Sequence, residues 1–173
     1  RWLRRLEFSD KPWHSKEETS KYTMLQKSGK AIRFFWVNEV NSVITSPCPE
    51  KPWTHLKKGE MVEIEGLAWS GHGTIKGVDI SFDGGDNWVE AKLKGLVLPK
   101  SWTRFSYIIK WEGKPLILAS RSYDDFGNIQ PTIDEETSAV GVESVYHRNA
   151  IVTWEITNKG ECNNVQIRKH KKA

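Results

Sequence analysis

The sequence predicts an all-β protein: an immunoglobulin-like (E-set) antiparallel β-sandwich behind an irregular N-terminal extension. Three observations predict it. Short stretches rich in β-branched and aromatic residues follow one another at close spacing. Several alternate apolar and polar residues, as a strand with one buried face must. Glycine-rich and proline-rich turns separate them, and nothing after residue 49 has a convincing helical period.

Residues 1–30 are polar and irregular, with one short helix expected from Ser15, an N-cap that Glu18 completes as a capping box. The stretches 31–37 and 41–45 are strand-like, and the prolines of Ser46-Pro47-Cys48-Pro49 mark a turn. Met61 to Trp69 alternates before the Ser70-Gly71-His72-Gly73 turn, and Ile75 to Phe82 alternates again. Asp83-Gly84-Gly85-Asp86-Asn87 is a hairpin turn, whose glycines supply positive φ. The stretch 88–93 returns as one strand. The stretches 102–111, 116–123 and 150–156 complete the set.

Bulk properties exclude several classes of function. At 173 residues the chain holds one ordinary domain plus extensions, and 38% hydrophobic with 28% charged content is globular rather than disordered. No apolar run approaches the ~20 residues of a membrane span. The net charge of +4 is unevenly placed: residues 49–158 are acidic, and the basic excess lies in the flanks. A nucleic-acid binder would carry its basic residues on its folded part, so the 168–172 run reads as a solvated terminus and no nucleic-acid partner is expected. Cys48 and Cys162 fit neither a metal spacing nor a CxxC motif, and no metal site is predicted.

The turn and strand motifs have physical readings of their own. Gly66 and Gly71 flank Trp69, which is expected to fill the space between sheets, where truncation to alanine would cost roughly 3–5 kcal/mol. Asp83, Gly84 and Gly85 are turn chemistry, and Trp88 is expected to lie back across the hairpin. Asp83 and Asp86 make too short a series for a calcium loop. Asp124, Asn128, Gln130 and Pro131 read as a polar loop whose side chains bond backbone.

These same residues resemble a known family. Gly66-x-Ala68-Trp69-Ser70-Gly71, Val78-x-Ile80-Ser81-x-Asp83-Gly84-Gly85-x-x-Trp88 and Arg121-Ser122-x-Asp124-x-x-Gly127-Asn128-x-Gln130-Pro131 match, in order and spacing, the C-terminal dimerisation domain of the sulfite oxidase family of molybdopterin oxidoreductases. Arg1-Trp2-Leu3 resembles the Lys-Trp-Leu that ends the family's catalytic domain, and 42–47 resembles the strand entering the next domain. Thr19 to Tyr22 and Tyr146 to Ile151 look closest to the bacterial sulfane dehydrogenase ("Sox") branch.

The resemblance implies a plan: residues 1–40 as the tail of a catalytic domain and linker, 41–158 as the dimerisation domain, and 159–173 as a basic C-terminal tail. It implies a parent enzyme with a molybdenum-molybdopterin cofactor, a homodimer, an upstream catalytic domain, a c-type cytochrome as electron acceptor, and a periplasmic location. The family's ligand cysteine lies upstream of the Lys-Trp-Leu-like end, so neither Cys48 nor Cys162 corresponds to it; no catalytic residue is assigned here, and the chain alone is expected to hold no cofactor. Arg1 matches the basic residue that approaches the pterin phosphate. The chain opens on Arg1-Trp2-Leu3-Arg4-Arg5 without a signal peptide, and reads as cut from a longer sequence. The Asn-x-Arg-Gly stretch of some members is missing, with Val140-Gly141-Val142 in its place, which puts sulfite itself in doubt as substrate. Tyr146, His147 and Arg148 remain as residues of the substrate entrance; for His147 an ordinary loop histidine is the competing reading. The rival function is a free-standing immunoglobulin-like module for a carbohydrate or protein ligand. That module would present at least two coplanar exposed tryptophans, whereas the dimerisation domain would bury most of them.

Overall fold

Alternation in the sequence becomes two facing sheets in the computed structural model, which describes residues 2–11, 13–16, 19, 22–25, 28–141 and 147–167. A hairpin of β1 (Thr23–Leu25) and β2 (Ala31–Phe34) stands apart from them. The remaining strands are β3 (Asn41–Ser46), β4 (Glu60–Trp69), β5 (Ile75–Ser81), β6 (Val89–Glu90), β7 (Lys92–Lys94), β8 (Thr103–Trp111), β9 (Leu116–Asp124), β10 (Thr153–Ile156) and β11 (Cys162–Val165), and helix α1 (Ile133–Val140) precedes β10. One sheet has the order β3-β4-β8-β7 and the other β11-β10-β9-β5-β6, all antiparallel. The expected all-β sandwich is what the chain forms.

The core lies where the inward sets of both sheets meet. Ile64 and Ala68 of β4 and Phe105 of β8 face Val78, Ile80 and Leu118, with Ile44 and Ile156 beside them. Burying each such side chain contributes on the order of 1.5–3 kcal/mol. Gly66 sits in this inward row because the Phe105 ring occupies its side-chain space: a Cβ there would lie 2.1 Å from Phe105 Cζ and 2.5 Å from Val43 O.

Four expectations need correction. Trp69 is not between the sheets. The inward set of β4 runs Ile64, Gly66, Ala68, so period-2 geometry turns Trp69 to the other face with Leu67. The stretch 88–93 is two strands, because the chain changes sheets at buried Ala91: β6 pairs with β5, and β7 pairs with β8. The third correction is α1, a helix in a region where no helical period is read. Thr132 is its N-cap, its hydroxyl accepting from Glu135 N while the Glu135 carboxylate accepts from Thr132 N, a complete capping box. The helix escapes a periodicity search because it has only eight residues and buries a single one, Glu136. Finally, 150–152 is not strand; Ile151 N instead donates to Pro131 O at 2.8 Å, and β10 begins at Thr153.

The sheet also continues past residue 158, since β11 pairs with β10 from Thr153↔Val165 to Ile156↔Cys162. Near the N-terminus Lys16 and Thr19 are helical, with Thr19 N donating to Ser15 O at 3.0 Å. Glu18, the other half of that capping box, lies outside the described residues.

Candidate functional site

β4 and β8 run side by side along the sandwich, with Glu60 opposite Trp111 at one end and Ala68 opposite Thr103 at the other. At the second end, strand termini and loops enclose a cleft of about 380 Å3. Its walls come from four separate stretches of chain. The linker and the start of β3 supply Phe35, Asn38, Glu39 and Asn41; the end of β4 and its turn supply Trp69 to Gly71. The loop before β8 supplies Lys100 to Trp102, and the approach to β10 supplies His147 to Asn149.

Gly71 is required because the linker crosses it. Gly71 N donates to Asn38 O at 2.9 Å, and a Cβ would lie 2.7 Å from that oxygen and 2.7 Å from Val37 Cγ1. Beneath the cleft Ser70 donates to Asp124 Oδ2 at 2.7 Å. Asp124 is only 2% exposed and also accepts from Phe126 N, Asn128 N and the Asn128 amide. Burial alone pushes this carboxyl upward. The bonds from the Asn128 and Ser70 side chains and from the loop backbone together outweigh burial, and they hold it below the ordinary aspartate range. Gln130, 1% exposed, closes the same loop: its Oε1 accepts from Ser42 Oγ at 2.6 Å and from Ser122 N, and its Nε2 donates to Asn41 Oδ1 at 2.9 Å. This network ties β3, β9 and the linker into one floor.

Two side chains predicted for the substrate entrance reach the cleft. Arg148 does so on a tether: Nη1 donates to Glu136 Oε2 at 2.9 Å and Nη2 to Gly141 O at 3.1 Å, while Glu136 Oε1 accepts from Asn149 N. The helix that sequence reasoning missed is thus what positions Arg148. Its only signal was the Thr132/Glu135 capping pair, with no apolar period behind it. His147 has φ 61° and stacks on Phe35, ring centroids 4.3 Å apart and planes 25° apart. Tyr146 and Arg1 lie outside the described residues.

Sequence reasoning also missed Trp102 and Lys100. Trp102 is 61% exposed and tilts against Trp69, centroids 4.6 Å apart and planes 57° apart. Lys100 holds φ 54°, its N–H donating to Gly73 O at 2.8 Å. Lysine in a left-handed conformation is a signal visible only in three dimensions.

The other motif residues lie elsewhere. Asp83 accepts from Ser81 Oγ, Asp86 N, Asn87 N and the Asn87 amide, which depresses its pKa with the Asn87 bonds leading. Gly84 and Gly85 supply φ 78° and 96°. Trp88 packs under the Arg121 guanidinium, 4.4 Å from its ring centroid, and Arg121 Nη2 donates to Asp79 at 2.8 Å. A larger cavity of about 440 Å3 opens beside Trp88, Arg121, Pro131 and Ile133. The guanidinium there bonds Asp79 and stacks on Trp88, with its buried Nε unpartnered. The smaller cleft carries the exposed cation Lys100 and is the better candidate for binding a charged ligand.

Cys162 does not suit a molybdenum thiolate. Cys162 is buried, and burial first, then its neighbours Cys48 and Glu50, push its thiol up to about 11. No group of three His, Cys, Asp or Glu able to hold a metal occurs among the described residues. The described residues do not offer the pterin-bound metal a set of ligands.

A family model described as the Mo-co oxidoreductase dimerisation domain matches residues 33–154. Rat mitochondrial sulfite oxidase is 36% identical over 99 residues, covering 53% of this chain and 17% of that protein. Chicken sulfite oxidase is 29% identical over 147 residues, covering 76% of this chain and 30% of that protein. Among solved structures, the sulfane dehydrogenase SoxCD from Paracoccus pantotrophus superposes with a TM-score of 0.86 at 46% identity, over 92% of this chain and 40% of that one. The chain therefore spans less than a third of these curated relatives and two fifths of the solved chain.

Proposed function

Since this chain belongs to the Mo-co oxidoreductase dimerisation domain family, we propose that it pairs two copies of a periplasmic molybdopterin enzyme that oxidises a reduced sulfur compound, and that it shapes the substrate entrance of that enzyme. The observation that carries this reading is the superposition with the sulfane dehydrogenase over 92% of the chain, which takes in more than the sandwich itself. In the parent an upstream domain holds molybdopterin and carries out the oxidation, and a c-type cytochrome takes the electrons. Tyr146, His147 and Arg148 then line the entrance, and Arg1 meets the pterin phosphate.

The N-terminal stretch supports an upstream partner surface. Trp2, Leu3, Leu6 and Phe8 are all exposed, and so much exposed apolar surface in one short segment marks a contact site. The carbohydrate-module reading has less behind it. The exposed Trp102 ring is tilted by 57° from Trp69 rather than coplanar with it. Four of the nine tryptophans are exposed, three of them before residue 37.

Sedimentation velocity of the chain at micromolar concentration tests the pairing. A species near twice 19.9 kDa is expected, and a single species near 19.9 kDa would overturn it. A stable dimer should bury at least about 1,000 Å2 in total. Elemental analysis tests the division of labour: the folded chain should carry no stoichiometric molybdenum.

A further inference from the structure

Among the described residues, two non-glycine positions hold left-handed backbone, Lys100 and His147, and both line the same cleft although 47 positions separate them. A left-handed lysine is strained where glycine would not be. Strain of this kind concentrates at ligand clamps and active sites. The cleft's charges single out one of the two. Arg148 is bound to Glu136, and His72 lies 2.8 Å from Glu39. Lys100 is exposed, and no ion pair among the described residues involves it, so it is the cation that can meet a ligand.

The rest of the lining mixes polar side chains, Asn38, Asn41, Ser101 and Asn149, with the rings of Phe35, Trp69, Trp102 and His147. Trp102 is largely exposed, and the Phe35–His147 stack adds a second planar surface. An inorganic oxyanion has no use for such rings. A volume of about 380 Å3 also falls in the range of pockets for small organic molecules. We propose that this cleft binds an organic anion with a planar, apolar body, its charge on Lys100 and its plane against Trp102. This goes beyond the dimerisation reading and stands on the cleft alone, so it can fail while pairing succeeds, and the reverse.

Isothermal titration of the full chain with 2-naphthalenesulfonate, 2-naphthalenemethanol, sulfite and sulfate tests it. The aromatic sulfonate should bind saturably, and the neutral alcohol and the inorganic anions at least about tenfold more weakly, the loss expected when one charge-assisted contact or one stacked ring goes. Lys100→Asn keeps a residue that tolerates left-handed backbone and should weaken the sulfonate about tenfold, with an unchanged or higher Tm. Lys100→Arg should retain binding, and Trp102→Ala should weaken it with little change in Tm. No saturable binding up to millimolar probe would overturn the proposal. So would sulfite or the alcohol matching the sulfonate, or affinity unchanged in both Lys100→Asn and Trp102→Ala.

Discussion

The two ends of the sandwich use the same pair of residues in opposite ways. At one end Trp53 and Trp111 are each 3% exposed, with centroids 5.8 Å apart and planes 57° apart. Trp111 Nε1 donates to Lys114 O at 3.0 Å, so the polar edge of the ring is satisfied within the fold. Gly160 lets the next turn close over them: Trp53 N donates to Gly160 O at 2.7 Å, and a Cβ on Gly160 would lie 2.5 Å from the Trp53 backbone. At the other end Trp69 and Trp102 meet at the same 57°, yet Trp102 stays 61% exposed. Ring pairing is common to both ends. Closure is what differs, and closure decides whether a tryptophan stabilises the fold or offers a surface to a ligand.

That contrast breaks or sharpens under mutation. The largest effect is expected at the closed end, where Trp53→Ala or Trp111→Ala should destabilise by about 3–5 kcal/mol in urea unfolding. Trp102→Ala should stay within about 0.5 kcal/mol, as exposed positions do. Equal losses at both ends would erase the distinction.

The floor between the ends comes next. Gln130→Leu removes the amide that bonds Ser42, Asn41 and Ser122 N, leaving the Ser122 N–H without its partner in a buried setting, and should cost about 1–3 kcal/mol. A loss no larger than that of an exposed substitution would show that water replaces the amide.

Smaller still is the acid dependence. Asp124 is depressed in the folded state, so its stabilisation is present above the ordinary aspartate pKa of about 3.9 and is lost as pH falls through the folded value. Asp124→Asn should therefore flatten the decline in Tm below about pH 4. An acid limb as steep as that of the unmutated chain would place the responsible carboxylate elsewhere. Asp83 is depressed too, but its side chain is exposed and should contribute little.

The smallest effect is chemical rather than thermodynamic. With its thiol pushed up to about 11, Cys162 should resist Ellman's reagent at pH 8 in the folded chain and react promptly in urea. Rapid native labelling of Cys162 would show that the closed end breathes.

Particular residues show how much was legible beforehand. Asp83-Gly84-Gly85 could be read as a turn because its chemistry is local: an aspartate collecting backbone N–H groups and two glycines at positive φ. The alternation of Ile75 to Ser81 was equally local. The α1 helix was not legible, since eight residues with one buried side chain leave no period to detect, and Glu136 is buried only because Arg148 and Asn149 N meet it. The division of 88–93 between two sheets was hidden for a similar reason, as Ala91 does not announce a crossing.

By itself, the sequence determined that the chain is an antiparallel sandwich with these turns and this family's motifs, because propensity, alternation and turn chemistry act over a few neighbouring residues. Only the tertiary structure decided which face of β4 is inside. Alternation says that Ala68 and Trp69 point opposite ways, and the facing sheet selects Ala68 for the core. Only the tertiary structure, too, could assemble Phe35, Trp69, Lys100, Trp102 and His147 around one cleft, since the contacts that gather them are long-range and leave no pattern along the chain.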